Sequence, residues 1–277
     1  MFNNTQRSQV GPVERLVRQD QRIVAFAAVL IALLAGIYTY FGVGMNMTAL
    51  EMTRMAQPIG EPMSMGVQPV WTGKYVVLIF LMWWIMMIAM MIPSAAPMLL
   101  LYTALKRMGS EGDRAVPLSF LFLFGYLVAW AFFSAAATGL QFGAESWGLL
   151  SGPMMAVNSH TFAAIVLICS GLYQLSSLKE SCLRYCKSPA FFLAEHSRPG
   201  SWGAFRTGAR HGVYCLGCCW ALMALLFVGG IMNLYWIVGI AIYVLIEKFI
   251  PNGQIFVRST GVGLILFGGY LLAISWG

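Results

Sequence analysis

The stretch KYVVLIFLMWWIMMIAMMIPSAAPMLLLY, Lys74 to Tyr102, decides the fold. After Lys74 no charged residue follows until Lys106. A membrane-crossing helix needs about 20 mostly apolar residues, and this run exceeds that. It holds six methionines, which recur at helical spacing: Met82, Met86 and Met90 form one i, i+4 ladder, and Met87, Met91 and Met98 form another.

The rest of the chain repeats the pattern. Further apolar runs lie at 23–43, 117–141, 160–178, 211–231, 235–250 and 258–276. With 75–103 they predict an all-α, polytopic membrane helix bundle of seven spans. Two of the runs share a charge-free stretch from Gly212 to Ile246, with Gly229, Gly230 and Asn233 as the turn between them. Composition agrees. The 277 residues are 59% hydrophobic and 10% charged, with a mean hydropathy of +0.75. Soluble domains run nearer 25% charged, so a water-exposed enzyme domain is excluded.

Charge sets the expected orientation. The net charge is +7, yet nucleic acid is not the implied partner, because the cations sit in short segments between apolar runs. Arg7, Arg15, Arg18 and Arg22 precede the first run, so residues 1–22 read as a cytoplasmic basic tail and 23–277 as the bundle. The first run is too long for a signal-peptide core and reads as a retained anchor. Inner segments then hold 15 of the 17 Lys and Arg, leaving Arg54 and Lys74 outside. The C-terminus is placed outside, with Trp276 at the interface. An outer loop, 44–74, carries Met45, Met47, Met52, Met55, Met63 and Met65; an inner loop, 179–210, carries Cys182, Cys186 and His196.

Soft ligands dominate the chemistry. His211, Cys215 and Cys218 share a helical face at the start of the fifth span, with Cys219 on its flank. Thiolates at a helix N-terminus near Arg206 and Arg210 ionise more easily, and the thiolate is the metal-binding form. Cys182 and Cys186 align at i, i+4 if a helix continues past span four, which brings them to the same membrane face. Copper as Cu(I), with zinc as second choice, accepts such a set. Cys packed as a small hydrophobe is the competing account, and Cys169 is assigned to it. The methionine ladders, Met82, Met86, Met87, Met90 and Met91, suit a soft ion but also suit core packing. The Met-x-Met pairs of the outer loop favour the ion, since no core is expected there.

Pro93 and Pro97 interrupt the second span, and a carbonyl freed by a proline needs a partner, for which Ser94 is placed. Glu247 and Lys248 close the sixth span; pairing or snorkelling competes with a functional role. Tyr173 and Gln174 are positioned to hydrogen-bond between helices. No phosphate loop, zinc-protease motif or nucleophile elbow is present.

The segments WWIMMIAMMIPSAAP (83–97), FGYLVAW (124–130), GLYQLSSLKESCLRYCKSP (171–189), GVYCLGCCWALMALLFVGGIMN (212–233) and EKFIP (247–251) together resemble a bacterial family of predicted metal-binding, multi-pass integral membrane proteins. The resemblance runs from Trp83 to Pro251. It implies a metal-handling protein of the bacterial inner membrane. It carries functional positions onto Met86, Met87, Met90, Met91, Pro93, Cys182, Cys186, Cys215, Cys218, Cys219 and Glu247. It implies no reaction and no particular metal.

Three functions fit these residues. Cu(I) passes inward from methionine to Cys and His ligands. Alternatively the chain is a metal-dependent membrane oxidoreductase or a subunit of one, with Trp83, Trp84 and Tyr173 lining a small-molecule cavity or an electron path. Or it is a structural or assembly partner in a membrane complex. Expected partners are the lipid bilayer, a metal-donor or metal-acceptor protein, and a second copy of the chain.

Overall fold

The computed structural model describes residues 12–45, 47–56, 58–60, 70–151, 155–250 and 253–276. Arg7, Met63, Met65 and Pro251, and the side chain of Trp276, lie outside the described residues. The architecture is all-α. The helices are α1 (Pro12–Tyr40), α2 (Ala49–Arg54), α3 (Gly73–Met108), α4 (Ala115–Ser146), α5 (His160–Gln174), α6 (Ser177–Lys187), α7 (Pro189–His196), α8 (Gly200–Gly229), α9 (Leu234–Phe249) and α10 (Gln254–Trp276). Between α4 and α5 a minimal antiparallel pair, β1 (Leu150–Ser151) and β2 (Ala156–Val157), sets Leu150 opposite Val157.

Short polar residues start the helices where the sequence supplies them. The Thr72 side chain accepts from the Tyr75 N–H at the head of α3, Ser159 caps α5, Ser176 caps α6 and Asn233 caps α9. The expected turn between the fifth and sixth apolar runs is present: α8 ends at Gly229, and Gly230 takes φ +93°, which suits a residue without Cβ.

Among the described residues five helices are long and apolar enough to cross a membrane: α1, α3, α4, α8 and α10. The expected count was seven. Two of the apolar runs form helices of 15 residues (α5) and 16 residues (α9). At about 1.5 Å per residue each reaches roughly 22–24 Å, short of the ~30 Å hydrocarbon layer. Helix α5 continues into α6 across a 63° bend, and this pair taken as one span raises the number to six. The outward faces of α1 and α10 are apolar, with Phe26, Leu33 and Leu34 exposed on one and Leu266, Phe267 and Tyr270 on the other. Such surfaces fit a membrane protein.

The expected tail and inner loop both contain helix. Helix α1 already begins at Pro12, inside the expected tail, and there Asp20 pairs with Arg107 of α3 at 2.8 Å. The expected inner loop 179–210 is made of α6, α7 and the first turns of α8. Its apolar residues explain this: Leu183, Cys186, Phe192, Leu193 and Ala204 are buried, so these turns have a face to pack.

Helix α3 forms the centre and packs against α1 and α4, while α8 packs against α4, α5 and α6. It runs unbroken through Pro93 and Pro97, each costing about 3 kcal/mol in an ordinary helix interior. Ser94 does not serve a carbonyl that these prolines free; its hydroxyl donates to the Met91 carbonyl, at 2.9 Å.

Candidate functional site

The site begins with glycines. Gly208 and Gly212 of α8, spaced i, i+4, face α4. A Cβ on Gly208 would overlap the Phe122 carbonyl, and one on Gly212 would press on Ala129. Small residues at this spacing let two backbones approach closely. The approach brings α4 side chains onto the cysteine-bearing part of α8.

His211, Cys215, Cys218 and Cys219 are all buried there, as their shared face requires. They do not sit at a helix N-terminus. Helix α8 starts at Gly200, upstream of the expected start, so its terminal N–H groups are remote from the thiols. The nearby positive charge comes from α9 instead: Lys248 Nζ lies 3.2 Å from Cys215 Sγ and 2.9 Å from Ser94 Oγ. From α4, the Tyr126 hydroxyl lies 3.2 Å from the same sulfur and donates to the Met91 carbonyl, also at 3.2 Å.

Two further helices bring sulfur. Cys186 on α6 places Sγ 3.8 Å from Cys218 Sγ, so the predicted helical continuation does bring one thiol to α8. Met91 on α3 places Sδ 3.9 Å from Cys219 Sγ. The thiols of Cys218 and Cys219 both donate to the Cys215 carbonyl, at 3.0 and 2.9 Å. Sulfur atoms bound to one tetrahedral ion at about 2.3 Å stand on the order of 3.8 Å apart. The Cys186–Cys218 separation matches that edge.

The other expected ligands fall elsewhere. Cys182 is half-buried one turn before Cys186 and packs against Gly217, where a Cβ would lie 2.7 Å from its sulfur. His211 stacks on Tyr126 and Phe122, with ring centroids 5.5 and 6.0 Å away. Among the described residues, no three His, Cys, Asp or Glu side chains are arranged to hold a metal ion. The sulfurs meet as pairs. Both ring nitrogens of His211 are buried without a hydrogen-bond partner, an open donor atom one helical turn from Cys215. Soft sulfur with one unfilled imidazole is a donor set that fits Cu(I) as cargo.

Met82, Met86, Met87, Met90 and Met98 are buried in the core around α3, and Met91 is the thioether that a thiol reaches. The outer-loop argument changes as well. Met52 is buried on α2, and Met45 and Met47 pack against the core, so filling a core does account for them. Cys169, assigned to packing, lies exposed on α5.

Glu247 pairs with Lys179 at 2.7 Å, and both side chains are almost fully buried. Lys179 also donates to the Cys218 carbonyl at 2.9 Å, which ties α6 and α9 to α8 beside the thiols. Tyr173 donates to the Gly217 carbonyl, an interhelical bond of the expected kind. Trp83 donates to Gln141 at 2.9 Å, and the Trp84 N–H is held by the Leu127 carbonyl.

Tyr126 and Lys179 escaped the sequence reading, and Lys248 enters it only beside Glu247, without a link to the thiols. Lys248 had one available signal: neighbours on a helix point about 100° apart, so it and Glu247 cannot share a partner easily.

The sequence model of the PpoB2 copper chaperone family matches residues 80–271, well over half of the chain, including Met91, Cys186 and the cysteines of α8. No curated protein sequence and no solved structure matches significantly. On the extent of the family match, this chain belongs to the PpoB2 copper chaperone family.

Proposed function

We propose that this protein binds Cu(I) within a membrane-embedded helix bundle and hands it from a methionine thioether to cysteine thiols. The observation that carries the reading is the meeting of Met91 Sδ and Cys219 Sγ, 3.9 Å apart on different helices, beside the Cys186–Cys218 pair. A thioether is a weak, neutral ligand and a thiolate a strong, anionic one. An ion that reaches Met91 therefore has a downhill step to α8. Cu(I) tolerates low coordination numbers, so a pair of sulfurs suffices at each stage. Cys215 lies one helical turn from Cys218 and Cys219, whose thiols both donate to its carbonyl. The excess of Lys and Arg assigns the thiols to the inner side, so the order from methionine to cysteine ligands favours an inward direction, across the bacterial cytoplasmic membrane.

Titration of the reduced, detergent-purified protein with Cu(I) against a chromogenic chelator tests the binding. Stoichiometric, competitive binding is expected for the wild type and a clear loss for Cys218→Ser. Wild-type protein that never competes with the chelator would sink the reading. Copper content of cells expressing the protein tests direction: a rise over control cells supports import, and a fall supports export.

A further inference from the structure

A polar cavity of ≈ 1010 Å³ opens between α6, α9 and the start of α10. Its described lining includes Arg184, Lys187 and Lys248 against a single carboxylate, Glu180. Gln254 donates to that carboxylate. Lys187 Nζ is held by the Ile250 carbonyl at 3.1 Å, and Arg184 is exposed, with no hydrogen bond or ion pair to another described residue. Lys248 belongs to both regions: it lines the cavity, and its Nζ is 3.2 Å from Cys215 Sγ. The cavity, with its excess of positive charge, thus ends at the lysine whose Nζ touches the buried sulfur of Cys215.

We propose that this cavity is a docking vestibule for an anionic, carboxylate-bearing small-thiol complex of Cu(I), which exchanges its copper with Cys215 there. The inference rests on the copper reading above. Arg184 and Lys187 take the carboxylates, a geometry that suits a planar guanidinium in particular. Lys248 marks the inner end, where carrier sulfur and Cys215 meet. In the exchange the bond from copper to the carrier sulfur breaks and a bond from copper to Cys215 Sγ forms. The Cys215 thiol proton passes to the released carrier thiolate. Copper stays Cu(I), so nothing is oxidised or reduced.

The test is the rate at which reduced, detergent-solubilised protein takes copper from Cu(I)–glutathione, an anionic carrier, and from Cu(I)–dithiothreitol, a neutral one. Arg184→Gln/Lys187→Gln is expected to slow the first by about tenfold, the loss typical of removed electrostatic steering, and to leave the second unchanged. Equal slowing with both carriers, or no slowing, overturns the proposal. A measurement on the wild type guards against misfolding of the variant. Metal-free S-methylglutathione should inhibit loading from the anionic carrier and spare loading from the neutral one; no selective inhibition also overturns it. Loading from neither carrier would instead remove the copper reading itself, and the vestibule with it.

Discussion

Lys248 Nζ lies 3.2 Å from Cys215 Sγ, although 33 residues separate them and they sit on different helices. The ammonium and the sulfur share their surroundings with the Tyr126 hydroxyl, so Cys215 meets a cation and a phenol in the same small space. The ammonium donates to the sulfur, while the phenol gives its own proton to the Met91 carbonyl. The surroundings of this sulfur are therefore set by α9 and α4 as much as by the cysteine motif of α8.

Replacing one member of the close thiol pair should show in affinity first. Cys186→Ser and Cys218→Ser are each expected to weaken Cu(I) binding by at least about tenfold, in the range that a lost metal-site interaction costs. Competition with a chelator measures it. Cys169→Ser, on the exposed side of α5, is the control and should bind as the wild type does.

Tyr126→Phe keeps the ring and removes the hydroxyl that reaches Cys215 and the Met91 carbonyl. The expected loss of stability is about 1 kcal/mol. Thermal unfolding in detergent reads it, and an unchanged melting temperature would argue that the hydroxyl is not engaged.

The glycine contact between α4 and α8 predicts a larger effect. Gly208→Ala places a methyl on the Phe122 carbonyl and should cost about 1–3 kcal/mol, as overpacking does. Gly139→Ala, where nothing lies within 4 Å of the new Cβ, should be neutral or slightly stabilising. The same unfolding experiment separates them.

The Lys179–Glu247 pair is almost fully buried, so removing one partner strands the other. Lys179→Met or Glu247→Leu alone should destabilise by about 3–5 kcal/mol, whereas the double apolar variant should recover most of that loss. A double-mutant cycle on folded yield and melting temperature decides it. Additive losses would mean the pair does not act as a unit.

Acid should loosen the α7 region through His196. Burial pushes the His196 imidazole below its ordinary value, with Arg210 adding to the shift. The folded chain thus binds this proton less readily than the unfolded chain. The stabilising contribution is complete above the unfolded value, about 6.5. It declines as pH falls from there through the folded value. Hydrogen exchange of α7 followed from pH 7.5 to 5 should show rising exposure corrected for intrinsic rate, and His196→Phe should flatten that trend.

Much of this was legible in the linear pattern. Long charge-free runs mark α3 and α8 because lipid or core burial leaves no place for charge, and the 3.6-residue period places His211, Cys215 and Cys218 on one buried face. Hydropathy was a poorer guide to where helices begin. The run after Gly212 reads as a fresh span, yet α8 starts at Gly200, because its polar first turns pack through Gly203 and Ala204 without needing an apolar stretch. The same blindness left α7 inside an expected loop, whereas the i, i+4 spacing of Cys182 and Cys186 points to the helix over α6.

Residue order and periodicity suffice for an apolar helical bundle rich in soft ligands, since both depend on neighbours along one helix. Packing alone sets which sulfurs meet: Cys186 and Met91 reach α8, while Cys182 rests on Gly217 and His211 stacks against α4. It also sets that Lys248, and not a helix terminus, supplies the charge beside Cys215. The reason is one of range. A helical period orients side chains around its own axis, but the rotation and depth of each helix against the next follow from contacts such as Gly208 against Phe122, between residues 86 positions apart (208 − 122).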